Sequence, residues 1–204
     1  MKHTSLLAAL LALLAALPAV AAEDADGEWI TLFDGTSLDQ WTMGPDESWL
    51  IEDGVITVKR EFDGKEHNLD YLWTKEHFAD FVLEVEFKIP EQANSGIFLR
   101  TPDLKDPVYT GLELQVSNSY GKAELSRTGT VGAIYDVKAP TKNAAKPAGE
   151  WNTYRVTCQG PKITVELNGE KVNEANLDEW TEPNLNPDGT TNKFPRAMKD
   201  FARV

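Results

Sequence analysis

The feature that most constrains the fold is a recurring alternation of apolar and polar residues over short stretches that end at turn residues. Helical periodicity is scarce beyond Trp29. Because side chains alternate across a strand, this pattern predicts antiparallel strands with one face in a core. The dipeptides Asp53-Gly54 and Asn168-Gly169 are hairpin signals. The alternating stretches read WLIEDGVITV, FVLEVEFKI, SGIFLR, GLELQVSN, VGAIYDV, WNTYRVTCQG and KITVELNGEKVNE. We therefore predict an all-β domain, an antiparallel β-sandwich or jelly roll.

The first 22 residues have the pattern of a secretory signal peptide. Lys2 precedes an apolar run over residues 6–17, and Pro18 is followed by small residues up to Ala22. The run is shorter than the roughly 20 apolar residues that a membrane-spanning helix needs. We expect cleavage after Ala22, a single domain over residues 23–204, a periplasmic or secreted location and no membrane attachment after cleavage.

The charge of the chain excludes one class of partner. With 33 acidic and 20 basic residues, the formal charge is −13. Such a surface repels phosphate backbones, so nucleic acid is not an expected partner. Cys158 is the single cysteine, which rules out an internal disulfide and favours a small buried strand residue.

Two strand-like stretches place polar side chains together. If the strands are neighbours, Phe98 and Arg100 on one, with Glu113 and Gln115 on the other, form a patch on the face away from the core. A solvated Arg100–Glu113 salt bridge would explain the charges without function. The aromatic side chain of Phe98 in this patch and the preceding Asn94-Ser95-Gly96 instead favour a site that binds sugar hydroxyls or carbonyls.

Metal and nucleophile motifs are absent from the sequence. No GxSxG, HExxH or phosphate-binding glycine loop occurs, and the histidines are isolated. No cofactor is predicted, although the scattered acids leave room for a structural calcium ion. His67, in the loop FDGKEHNLDYLWT, is a candidate for lining a site. The segments 138–150 and 182–204 are expected to be loops, with a short helical turn near residues 197–201.

Several phrases together resemble one bacterial family. They are WITLFDGTSLDQW, NSGIFLR, GLELQVSN, GAIYD, GEWNTYRVTCQGPKITVELNG and NPDGTTNKFPRAMKDF. The sequence is similar to the 3-keto-disaccharide hydrolase domain family, whose members have the concanavalin A-like lectin/glucanase sandwich. The resemblance implies that fold, a periplasmic setting and a glycoside or oligosaccharide substrate. Family members continue past the equivalent of KDFARV, so we expect the domain to be truncated at its C-terminal end.

Glucanases of the same fold carry their acids in an ExDxxE strand. The matching stretch here, residues 113–118, keeps only Glu113 and has an amide in the place of each of the other two acids. A retaining glycosidase needs two carboxyl groups, so double displacement is disfavoured. A 3-keto sugar needs one base, because its ketone acidifies the C2 proton. We assign Glu113 as the base and Arg100 as the enolate stabiliser, with Gln115 and Tyr135 orienting hydroxyls.

Two other readings stay open at this level. The first is a non-catalytic carbohydrate-binding module that uses the same sheet face, and the second is a structural surface domain without a ligand. Phe98, Asn94 and His67 would line the site in either ligand-binding case. Release of sugar from a 3-keto-disaccharide separates the enzyme from both alternatives.

Overall fold

The computed structural model describes residues 20–23, 27–44, 48–58 and 71–200. Within these ranges the chain forms short strands with few helical residues. A one-turn helix, α1, spans Pro107–Thr110, and 3-10 turns lie at Leu177–Glu179 and Met198–Asp200. The strands are β1 (Val20–Glu23), β2 (Trp29–Phe33), β3 (Trp41–Met43), β4 (Trp49–Glu52), β5 (Val55–Val58), β6 (Leu72–Thr74), β7 (Phe81–Phe87), β8 (Asn94–Leu99), β9 (Leu112–Ser117), β10 (Asn152–Gln159), β11 (Lys162–Leu167) and β12 (Glu170–Asn176). This confirms the all-β prediction.

The largest layer is an antiparallel six-stranded sheet in the order β12-β11-β10-β7-β1-β2. The alternation in each strand turns its apolar side chains to one face. In β10 the pattern is strict, since Asn152, Tyr154, Val156 and Cys158 are buried while the intervening residues are partly exposed. Asn168 and Gly169 both have positive φ, as the hairpin between β11 and β12 requires.

The second layer includes the β8–β9 pair, whose inward side chains join the same hydrophobic cluster as those of β10–β12. Tyr154 connects the two layers. Its hydroxyl donates to the carbonyl of Gln115 at 2.6 Å and accepts the N–H of Gly132 at 2.6 Å. Its side chain is fully buried, and burial raises the pKa of the phenol. The position of β9 is therefore fixed by the core strand β10.

The prediction of a strand for VGAIYDV is wrong. The segment 131–137 forms turns with isolated bridges from Ile134 to Leu114 and Lys138. Gly132 and Asp136 have φ of 86° and 62°, which breaks the extended conformation at two points. Its apolar residues are nevertheless buried, because the loop packs on β9. The sequence of this buried loop therefore resembled the sequence of a strand.

The end of the predicted signal peptide lies within the described residues. Residues 20–22 belong to β1, which pairs with β2 on one side and with β7 on the other. Cleavage after Ala22 would therefore remove three of the four residues of this strand. No helix in the described ranges is long and apolar enough to cross a membrane.

Candidate active site

A cavity of about 1060 Å³ borders the inward side of β7 and the whole of β8. Apolar and aromatic side chains form most of its wall. Among the charged and polar groups of the lining, Glu113 of β9 meets Tyr135 and Lys193 from two loops. A mainly apolar pocket with a few convergent polar groups is the usual form of a small-molecule site.

Glu113 and Lys193 form an ion pair inside this cavity. The Oε2 atom of Glu113 lies 3.6 Å from Nζ of Lys193, and the two side chains are 17% and 12% exposed. Burial raises the pKa of Glu113, and the charge of Lys193 only partly opposes that shift. Burial likewise lowers the pKa of Lys193, against the charges of Glu113 and Asp136. A raised carboxyl pKa is the direction expected of a general base that works near neutral pH.

The ammonium of Lys193 is held in place but is not saturated. The backbone N–H of Lys193 donates to the Asp136 carboxylate at 2.7 Å, and Nζ lies 4.6 Å from the centre of the Tyr135 ring. Within the part of the chain that the structure describes, the buried Nζ has no hydrogen-bond acceptor. At 3.6 Å the Glu113 oxygen is beyond hydrogen-bond range. The ammonium therefore has unmet hydrogen-bonding capacity at the cavity wall.

Aromatic rings form the wall next to Glu113. Phe98 lies directly opposite Glu113 in the β8–β9 pair. The Tyr71 ring meets Phe98 edge to face at 5.6 Å, and Trp73 lies 5.2 Å from Tyr71. Burial raises the pKa of Tyr71, with a smaller contribution from the charge of Glu113. These rings offer stacking faces within reach of the carboxylate.

The structure brings together several of the residues predicted from sequence. Strands β8 and β9 are neighbours, with Phe98 opposite Glu113 and Asn94 opposite Ser117. Asn94, Phe98, Glu113 and Tyr135 all border the cavity. Their roles in binding or catalysis stay predictions.

Arg100 requires a correction, because it borders the cavity but its guanidinium binds groups other than Glu113. Its Nε donates to the carbonyl of Ala79 at 2.7 Å, its Nη1 to that of Gly160 at 2.6 Å and its Nη2 to Asp80 at 2.9 Å. The side chain is 1% exposed. Arg100 follows the last residue of β8 with φ of 49°, so strand alternation no longer determines its direction. The ion pair of Glu113 is with Lys193 instead, and the predicted Arg100–Glu113 pairing is wrong.

Gln115 also differs from the prediction, whereas the prediction for His67 is not tested. Gln115 is 2% exposed, and its amide nitrogen donates to the carbonyl of Thr128 at 2.6 Å beneath the loop that covers β9. Gln115 shares a face of β9 with Glu113, but the loop covers that face at this point, and Gln115 does not border the cavity. His67 lies outside the described residues.

Lys193 is the site residue that sequence reasoning missed. It lies in the loop segment NPDGTTNKFPRAMKDF, where no periodicity indicates direction. The available signal for Lys193 was the adjacent Phe194, which is fully buried. A lysine beside an anchored aromatic residue has little freedom to reach bulk solvent. In the described ranges no group of three or more His, Cys, Asp or Glu side chains could hold a metal ion.

An antiparallel sandwich with a carboxylate and an ammonium group in an aromatic-lined cavity suits a carbohydrate ligand. The sequence profile of the 3-keto-alpha-glucoside-1,2-lyase-like domain matches residues 28–196. The chain belongs to that family, which confirms the resemblance predicted from its motifs.

Relatives with known names or structures agree. A 3-keto-disaccharide hydrolase of Bacteroides thetaiotaomicron is 30% identical over 86% of this chain and 68% of its own length. A solved structure of a candidate glycosyl hydrolase from Parabacteroides distasonis is 29% identical, with a TM-score of 0.71 over 86% of this chain and 87% of that one. A second from the same organism has 27% identity and a TM-score of 0.58, over 72% of each chain.

Proposed function

We propose that the protein cleaves the glycosidic bond of 3-keto-disaccharides by elimination across C1 and C2, followed by addition of water. The observation that carries this proposal is the 3.6 Å separation of Glu113 and Lys193 in a largely apolar cavity. In a 3-keto sugar, C2 and the C3 carbonyl are bonded neighbours. A base for the C2 proton and a cation for the C3 oxygen must therefore lie within a few ångströms of each other, as these two groups do.

The steps follow from the two charges. Glu113 takes the C2 proton, and the C–H electron pair forms an enolate whose oxygen receives hydrogen bonds from the Lys193 ammonium. The enolate expels the C1 leaving group, whose oxygen takes up a proton from water. The hydroxide left by that water adds to C1, and the proton held by Glu113 returns to C2, so the net reaction is hydrolysis. Lys193 replaces Arg100 in the role of enolate stabiliser.

The family description and the name of the relative support both halves of this sequence. The matched domain is described as a 1,2-lyase, which is the elimination half. The relative from Bacteroides thetaiotaomicron is named a hydrolase, which is the net reaction. Asp136 also acts on the Lys193 charge but does not border the cavity, so Glu113 is the carboxylate placed to meet a substrate beside the ammonium, and the site suits elimination better than double displacement.

Replacing Glu113 by Gln tests the assignment of the base. We expect the rate on a 3-keto-disaccharide to fall by about 10²- to 10⁴-fold, the usual contribution of a general base. In deuterium oxide, exchange of the substrate C2 proton should be lost as well. Glu124→Gln is the matched control, because this side chain is exposed and does not border the cavity. A folded Glu113→Gln variant with the parental rate would refute the proposal, and binding without turnover by the parent protein would favour a binding module.

The location that we propose is periplasmic or extracellular. It is supported by the sequence pattern of residues 1–22, in which Lys2 precedes an apolar run and small residues follow Pro18. Sequencing the N-terminus of the secreted protein tests it. A mature chain that begins at Glu23 supports the assignment, and one that retains residues 1–22 contradicts it.

A further inference from the structure

Gly96 lies in the middle of β8, across from the strand that carries Glu113. Its partner in the pair is Gln115, while Glu113 is paired with Phe98. Gly96 and Glu113 are therefore diagonal neighbours in an antiparallel pair, close enough for a long side chain to span. The Glu113 side chain takes this diagonal path.

The absence of a side chain at Gly96 makes that path available. A Cβ atom built on Gly96 would lie 2.8 Å from Cγ and 2.9 Å from Cδ of Glu113, and closer still to Oε1. Real Cβ atoms essentially never approach other atoms to under 3.0 Å. The carboxylate thus lies directly on the bare backbone of β8, in the space that any other residue would fill.

Backbone conformation does not explain this glycine. The chain has nine glycines with positive φ among its described residues, and Gly96 is not one of them. Any residue could therefore adopt the backbone at this position. Glycine inside a strand is destabilising relative to alanine. A compensating reason is needed, and the contact with Glu113 supplies one.

We propose that Gly96 is a positioning residue, whose missing side chain lets the Glu113 carboxylate lie against β8 and face Lys193. This inference rests on the proposed role of Glu113 as the base. A methyl group at position 96 would push the carboxylate away from the strand by rotation of the Glu113 side chain. The base would then be displaced from both the ammonium and the C2 proton.

The activity of a Gly96→Ala variant tests the positioning role. A displacement of about 1 Å in a catalytic group costs up to about 10²-fold, so we expect the turnover number on a 3-keto-disaccharide to fall by about 10- to 100-fold. The fall should exceed any change in KM. The acid limb of the pH–rate profile should move to higher pH, because the carboxylate loses the nearby Lys193 charge. Glu124→Gln, which is exposed and does not border the cavity, should keep the parental profile.

A thermodynamic cycle tests the contact without relying on turnover. Gly96→Ala should lower the melting temperature of the parent protein, because the methyl group collides with Glu113. In a Glu113→Ala background the same change should have no cost or should stabilise, because alanine restricts the unfolded chain more than glycine. Equal effects in both backgrounds would overturn the inference, as would parental activity in folded Gly96→Ala. An active Glu113→Gln variant would instead refute the proposed function and leave the cycle valid.

Discussion

The two ends of the six-stranded sheet share one pattern of alternation but differ in what covers them. In β10 and β11 the inward side chains of Tyr154, Val156, Ile163 and Val165 are completely buried, under β9 and the loop that packs on it. In β7, by contrast, Leu83 and other inward residues are only half-buried, and they border the cavity. Alternation therefore determines which way a side chain points, while the opposite layer determines whether it becomes core or cavity wall.

This difference separates a scaffold from a site. Glu113 belongs to β9. The buried Tyr154 hydroxyl donates a hydrogen bond to the carbonyl of Gln115, two residues further along that strand. The carboxylate itself points into the cavity. A base on a rigid strand beside open space is the arrangement that catalysis by positioned groups requires.

A matched pair of leucine truncations gives the largest expected effect and tests the comparison directly. Leu167→Ala, in the fully buried end, should lower the free energy of unfolding by about 3–4 kcal/mol, because it leaves a cavity in packed core. Leu83→Ala, at the cavity wall, should cost about 1.5 kcal/mol, since much less apolar surface returns to water. Urea denaturation measures both values. Equal losses would show that the two ends are packed alike.

Arg100 provides the second test of the packed side of the sheet. Its hydrogen bonds connect the residues before β7 to the turn between β10 and β11. Arg100→Ala removes three charge-assisted hydrogen bonds from a guanidinium that is 1% exposed, so a loss of about 3 kcal/mol is expected. Arg155→Ala is the control, because its ion pair with Glu84 is partly exposed and worth at most about 1 kcal/mol. Catalysis by folded Arg100→Ala should persist. A variant that is stable but inactive would restore Arg100 to the mechanism.

The pH dependence of the rate is the smallest of the expected effects, and it tests the coupling of Glu113 and Lys193 in the cavity. Activity requires Glu113 deprotonated and Lys193 protonated. Because burial raises the pKa of Glu113 and lowers that of Lys193, both limbs of the pH–rate profile should lie inward of ordinary carboxyl and lysine values. In Lys193→Met the acid limb should move to higher pH, since the cation that lowers the Glu113 pKa is gone. The alkaline limb set by Lys193 should disappear. An unchanged profile would show that Lys193 is not coupled to the base.

Much of the fold could be predicted from the sequence because strand alternation and hairpin dipeptides act locally. The pairs Asp53-Gly54 and Asn168-Gly169 have the positive φ values that their hairpins need. The face of β8 and β9 that carries Phe98 and Glu113 was predicted correctly for the same reason. The buried cysteine in β10 also agrees with the expectation from sequence.

The rest depended on contacts between distant parts of the chain. The left-handed backbone at Arg100 turns its side chain off the sheet face, and no local pattern indicates this for an arginine. Gln115 is covered by a loop whose sequence has the alternation of a strand. Lys193 reaches the site from a loop without periodicity. These three positions account for the differences between the predicted and the observed site.

Cys158 is a buried residue of β10 near the ion pair of Arg100 with Asp80, and burial raises its pKa to about 12. A thiol in that condition is inert towards alkylating and disulfide reagents while the sheet is closed. Its rate of labelling would therefore report how often the packed end of the sandwich opens. Cys158 is thus a native probe of unfolding, whose rate of modification by a thiol reagent can be measured without adding a label to the protein.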